Sequence, residues 1–215
     1  MRIYNFNTGE YPFDQYFKKL YDIDSLESIH TLHNSSVVFD MQNNSDTELH
    51  KVFYSDIKRE NSYFVNLYDE FLNSCVKEFM GFDFIYQKLP TLRLHFDNNW
   101  ATPEFHVDTQ DGYYHPPGEI NFIVPMTNCY GNNSVWVESE PQKGDYHPVK
   151  MNYGNLLSFS GGTHRHGNKI NDTGNSRISF DFRILPLSKY NPKYSRTSAT
   201  KSTKFVIGGY YKELR

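Results

Sequence analysis

Cysteine is scarce: Cys75 and Cys129 are the only two in 215 residues, and they stand far apart in no zinc-type spacing. One pair is too few for a disulfide-stapled secreted scaffold, so free thiols and a cytoplasmic setting are expected. Long hydrophobic runs are missing as well. No window approaches eighteen consecutive apolar residues, and the start, MRIYNFNTGEYPF, has no basic stretch leading into an apolar one. Neither a membrane span nor a secretory leader is expected. Without a leader, Asn-x-Ser/Thr matches such as Asn34-Ser35-Ser36 carry no weight. Excess charge of one sign is the third absence. The formal net charge is -3 with 22% charged residues, which excludes the basic footprint of a nucleic-acid binder and the acidic bias of a disordered tail. A small molecule is the partner this leaves.

Aromatic residues are abundant instead, with 17 Tyr and 17 Phe, and they supply core-forming bulk despite a hydrophobic fraction of 38%. At this length one domain is expected, in three stretches: a helical N-terminal support region over 1–82, a β core over 83–187, and a loop with a terminal edge segment over 188–215. In SYFVNLYDEFLNSCVKEFMGF the apolar residues Phe64, Leu67, Phe71, Leu72, Cys75, Val76 and Phe79 recur at helical steps, with Ser62 as cap and Gly81 as stop. FDQYFKKLYDI and DTELHKVFYSDIK are shorter helical candidates. From residue 83 the texture changes to short Val-, Ile-, Phe- and Tyr-rich runs between turn residues: FIYQKL, TLRLHF, EFHVDT, EINFIVPMT, SVWVES, HPVKMN, NLLSFS and RISFDFRIL. Eight antiparallel strands after a helical lead-in predict a mainly β fold, a double-stranded β-helix (a cupin-like jelly roll) with helices packed on one sheet.

Alternation along EFHVDT puts Glu104, His106 and Asp108 on one face. If that face is interior, a buried carboxylate beside an imidazole needs a partner, and a divalent metal is one. HRHGNKINDTGNSRIS, residues 164–179, can add a second imidazole, from His164 or His166. Two imidazoles and a carboxylate suit Fe(II) and leave positions open for oxygen and a cosubstrate. In RISFDFRIL, Arg177, Ser179, Asp181 and Arg183 share one side, opposite Ile178, Phe180, Phe182 and Ile184. On an interior face, Arg177 with Ser179 can hold a carboxylate by charge-assisted hydrogen bonds.

His106-Val-Asp108, then His166, then Arg177-Ile-Ser179 after ten intervening residues, resembles the pattern of the Fe(II)/2-oxoglutarate-dependent oxygenases. The resemblance runs from LRLHFDNNW to FDFRILP. Within that superfamily, HGN, NDTG, SRISFDFR and WVES are similar to a small bacterial subset associated with streptomycin-type biosynthesis. The resemblance implies that His106, Asp108 and His166 ligate Fe(II), and that Arg177 and Ser179 bind the distal carboxylate of 2-oxoglutarate. It implies oxidation of a small polar metabolite by O2, with release of succinate and CO2. Many halogenating relatives have Gly or Ala where Asp108 stands, so Asp108 points to hydroxylation.

The turn-rich GNKINDTGN is expected to let the chain leave the strand bearing His166, reverse, and re-enter beside it. Gly161, Gly162 and Gly167 fit a backbone bending around a crowded centre. Asn121 is a weaker candidate for the cosubstrate. Arg93, His95, Tyr113, Tyr114 and His115 are weaker candidates for substrate, Trp136 or Glu138 for lining a cavity, and Asp181 and Arg183 for pairing with each other. Two rival readings use the same residues differently: a cupin-type metal-dependent isomerase or dioxygenase without a keto acid, and a non-catalytic small-ligand-binding jelly roll.

Overall fold

Ser62 and Gly81 bound the long helical stretch as expected. The Ser62 hydroxyl accepts from the Val65 N–H at 3.4 Å. Gly81 closes the other end with φ +68°, its N–H donating to Lys77 O. Between them the helix is not uniform: α-helical turns at Tyr63–Phe71 and Lys77–Met80 flank a π-helical turn at Leu72–Val76. The structure, a computed structural model, describes residues 1–32, 47–101, 104–197 and 203–215. Asn34-Ser35-Ser36, Asp46, Thr102-Pro103 and residues 198–202 of the polar C-terminal loop lie outside the described residues. Cys75 and Cys129 are both free, and no described helix is long and apolar enough to cross a membrane.

The described strands are β1 (Arg2–Asn5), β2 (Phe84–Gln87), β3 (Thr91–His95), β4 (Ile120–Pro125), β5 (Trp136–Val137), β6 (His147–Pro148), β7 (Asn155–Phe159), β8 (His166–Gly167), β9 (Arg177–Pro186) and β10 (Tyr211–Glu213). All strand pairing is antiparallel. The large sheet has the order β1-β7-β4-β9-β2-β10, and β3 also pairs with β9, while β6-β5-β8 forms a small sheet.

This departs from the strand expectation in three places. Residues 2–5, inside the stretch expected to be helical, form an edge strand of the large sheet against β7. EFHVDT is not a strand: only His106 makes a ladder contact, an isolated bridge to His166, and the chain turns at Asp108 and Thr109. The GNKINDTGN reversal does not return the chain beside β8. It carries it from the small sheet to the large one, where Arg177 lies opposite His95. The expected last edge strand is present as β10 on β2.

β9 explains the layering. Its even residues Ile178, Phe180, Phe182 and Ile184 belong to the apolar core with Phe13, Phe17, Phe53, Phe64, Tyr68 and Phe71 of the helical region. Phe180 meets Phe13 at 4.9 Å and Phe64 at 5.5 Å between ring centroids, in edge-on geometry. Its odd residues face the other way and are buried too. On that side Ile123, Leu157 and Phe159 of the large sheet pack against Val135, Val137, Val149 and Met151 in and around the small sheet. The helices therefore cover one face of the large sheet, the small sheet covers the other, and the polar stripe of β9 lies between the two sheets.

Candidate metal centre

His106 and His166 are held side by side by their own backbones. The His106 N–H donates to His166 O at 2.9 Å and the His166 N–H to His106 O at 3.0 Å, and the ring centroids stand 4.6 Å apart. Each Nδ1 faces the carbonyl oxygen two residues upstream, Glu104 O at 2.8 Å and His164 O at 3.0 Å. A carbonyl only accepts, so Nδ1 carries the proton and the Nε2 of a neutral ring keeps its lone pair. For His166 neutrality follows from burial, which pushes its pKa down to about 4.

Both Nε2 atoms approach the same oxygen, Asp108 Oδ1, at 3.4 Å from His106 and 3.8 Å from His166. Oδ1 is buried and among the described residues accepts no hydrogen bond. Oδ2 is saturated: it accepts from Asn121 Nδ2 at 2.6 Å and from Arg183 Nε at 2.9 Å, and Arg183 Nη2 forms an ion pair with it at 2.8 Å. Burial pushes the Asp108 carboxyl up, but Arg183 and then the neighbouring histidines outweigh it and hold the pKa well below the usual carboxylate range. Three lone-pair donors thus converge, all within 4.8 Å of one another, and could hold a metal ion. A divalent cation between them would be bonded by all three donors at once.

The turn at Asp108 does what the expected strand was to do, but through other contacts. The Asp108 N–H donates to Gly161 O at 2.8 Å and its carbonyl accepts from the His115 N–H at 3.0 Å. Asp108 and His106 therefore both point inward, while Glu104, expected on the same face, is exposed. Gly161 leaves room for the Asn121 amide: a Cβ there would stand 2.4 Å from Asn121 Nδ2. His164 is excluded from the group because its segment bends instead of extending. Its Nδ1 meets Thr163 Oγ1 at 3.0 Å.

Arg177 and Ser179 lie on the inward stripe of β9 and line one cavity together with His106, His166 and Asn121. Arg177 is 3% exposed, and among the described residues its Nε and Nη1 have no hydrogen-bond partner. Ser179 Oγ has none either. Burial accordingly pushes the guanidinium pKa down. A buried cation and a buried hydroxyl without partners are costly, and a carboxylate reaching both would satisfy them.

No protein-family model matches the sequence. The chain is 34% identical over 186 residues to the streptomycin biosynthesis protein StrG of Streptomyces griseus, covering 86% of this chain and 85% of that protein. The chain belongs to the StrG family. Among solved structures it is loosely similar to the non-heme monooxygenase ThoJ in complex with nickel, with TM-score 0.49, 12% identity, and coverage of 85% of this chain and 71% of that one. It is also loosely similar to HygX from Streptomyces hygroscopicus with nickel and 2-oxoglutarate bound, with TM-score 0.39, 12% identity, and coverage of 95% and 90%.

In this StrG-family chain the weaker sequence candidates divide sharply. Asn121, expected near a cosubstrate, spends its Nδ2 on Asp108, and only its buried Oδ1 is left without a partner. Asp181 and Arg183 are not each other's main partners. Asp181 accepts from Arg93 Nε at 2.7 Å, whereas Arg183 reaches Asp181 only at 3.9 Å. Residues two apart on one strand face are spread along it, so each finds its partner on a neighbouring segment. Arg93 remains on the cavity wall in that pair. His95 is surrounded by the carbonyl oxygens of Asn133, Asn99 and Lys169 and is structural.

Tyr113 stacks on the His106 ring, with centroids 4.3 Å apart, and the Tyr114 carbonyl accepts from Tyr194. His115 Nδ1 meets Glu119 Oε2 at 2.8 Å. Neither Trp136 nor Glu138 lines the cavity, where Val135 takes the place. Glu138 accepts backbone N–H groups of Arg165 and Gly144, and Lys169 lies over the Trp136 ring.

Proposed function

We propose that this protein is an Fe(II)- and 2-oxoglutarate-dependent oxygenase that hydroxylates a small polar metabolite, on a cupin-like double-stranded β-helix. One observation carries the reading. Asp108 Oδ1, buried and among the described residues without a hydrogen bond, lies against the Nε2 atoms of His106 and His166, which line the same cavity as Arg177 and Ser179, whose Nε, Nη1 and Oγ also lack partners there.

In this reading His106, Asp108 and His166 hold Fe(II), and the guanidinium of Arg177 with the hydroxyl of Ser179 takes the distal carboxylate of 2-oxoglutarate. Fe(II) with 2-oxoglutarate supplies O2 activation coupled to decarboxylation of the keto acid, giving succinate, CO2 and one oxygen atom for a substrate C–H bond. The chain's own part is to orient these groups and to exclude bulk water from the cavity. Asp108 as third donor, in place of Gly or Ala, favours hydroxylation over halogenation. The kinship to a streptomycin biosynthesis protein supports an enzyme acting on a small metabolite, with O2 as co-reactant.

The cupin-type reading without a keto acid uses the same metal donors but leaves Arg177 and Ser179 without a role. Anaerobic addition of Fe(II) and then 2-oxoglutarate to the folded protein is expected to develop a weak visible charge-transfer band. A folded protein that binds Fe(II) yet shows no band, and takes up O2 independently of 2-oxoglutarate, would favour the cupin-type reading instead.

A further inference from the structure

Arg183 was expected to do no more than pair with Asp181, yet it makes the most extensive contacts to the metal-ligand carboxylate. Its Nε donates to Asp108 Oδ2, its Nη2 stands in ion-pair contact with the same oxygen at 2.8 Å, and Asn121, directly opposite it on β4, donates a second hydrogen bond to that atom. A carboxylate oxygen has two lone pairs, so two donors, with the guanidinium charge beside them, leave Oδ2 nothing to offer a cation, while Oδ1 stays bare. Without this clamp both oxygens would be free to turn towards a cation.

The clamp is itself braced. Glu119 Oε2 lies 3.7 Å from Arg183 Nε and meets His115 Nδ1, and Glu119 Oε1 accepts from the Tyr211 hydroxyl on β10. Arg183 Nη1 faces the Tyr210 hydroxyl at 3.5 Å and Asp181 Oδ2 at 3.9 Å. The C-terminal strand is thereby connected to the metal ligand through buried polar groups.

We propose that Arg183, braced by Glu119 and Tyr211, is a positioning residue that makes Asp108 a one-oxygen ligand through Oδ1. The proposal rests on the metal reading above. A lysine at this position would keep the charge but lose the planar guanidinium that aims Nε at one oxygen with Nη2 beside it.

The test is Co(II) titration of the metal-free full-length protein by calorimetry, together with metal-minus-apo infrared difference spectra of protein carrying 13C-labelled aspartate. Wild type is expected to show the wide gap between antisymmetric and symmetric carboxylate stretches that marks a one-oxygen ligand. Arg183→Lys is expected to narrow that gap and to weaken Co(II) binding by about 10- to 100-fold, the usual cost of removing a residue that orients a metal ligand. A general loosening of the fold would not move the stretch gap. Should Arg183→Lys fail to fold, Glu119→Gln, which leaves the guanidinium but removes its brace, is expected to shift both readouts in the same sense by less.

A folded Arg183→Lys, or Glu119→Gln in its stead, with unchanged affinity and an unchanged gap would overturn the clamp while leaving the metal site standing. Asp108→Asn binding Co(II) as tightly as wild type would overturn the metal reading, and the clamp with it.

Discussion

Arg183 meets one oxygen of Asp108 twice, with an Nε hydrogen bond at 2.9 Å and an Nη2 ion pair at 2.8 Å, from 75 positions away in the chain. That contact divides the carboxylate into a saturated oxygen and a bare one, and the bare one is where both histidines aim. The same economy recurs at Arg177, whose partners are missing because, in our reading, the ligand supplies them. The two arginines of β9 thus behave oppositely, although they alternate onto one face of one strand.

Because Arg177 is buried with no ion-pair partner among the described residues, replacing it should have opposite effects on stability and on binding. Arg177→Met is expected to raise the urea midpoint of the ligand-free protein, since an uncompensated buried charge is removed. It is also expected to weaken 2-oxoglutarate binding by roughly 10- to 150-fold, the equivalent of about 1.5–3 kcal/mol for a charge-assisted hydrogen bond. Urea unfolding and calorimetry on the same sample check both signs.

Gly161→Ala should act on the metal without touching a ligand. The new Cβ would stand 2.4 Å from Asn121 Nδ2, so the amide must shift and its 2.6 Å hydrogen bond to Asp108 is lost. Metal affinity is expected to fall by about tenfold with the fold retained, and a Co(II) titration measures this.

These contacts also mark where the sequence ceased to be readable. The alternation in RISFDFRIL identified the face that carries Arg177 and Ser179 because period two is a local property of a strand. The helix limits at Ser62 and Gly81 were readable for the same reason: capping chemistry is local. Arg183 and Glu119 could not be assigned because their roles depend on which strands are neighbours, and the Asn121–Arg183 register is set by long-range packing. The segment around His106 was misread as a strand because a turn stabilised by Gly161 O and the His115 N–H orients Asp108 inward just as alternation would. The ten-residue spacing to Arg177 already picked His166 over His164, and the bend at His164, which periodicity does not show, accompanies its place outside the group.

Phe180 tests the other face of β9. It is fully buried among Phe13, Phe64 and Tyr68, so Phe180→Ala is expected to cost about 3–5 kcal/mol in urea unfolding. A loss well below this would mean that the helical layer closes over the gap.

Acid sensitivity follows from His166. Burial pushes it down to about 4 from the ordinary 6.5. Between those values the unfolded chain binds a proton that the folded one does not. The stability this contributes is fully present above about pH 6.5 and is lost as pH falls through that window. Urea midpoints of the metal-free protein are expected to decline steadily from pH 7 to pH 4.5, and His166→Asn should reduce the slope. A flat profile would contradict a neutral buried imidazole.

The central claim is that His106, Asp108 and His166 share one cation. Anomalous diffraction at the iron edge, from crystals loaded with Fe(II) under anaerobic conditions, tests it most directly. The expected result is a single strong peak about 2 Å from His106 Nε2, His166 Nε2 and Asp108 Oδ1. A fully loaded crystal with no peak between these three atoms, or with iron bound elsewhere on the chain, would contradict it.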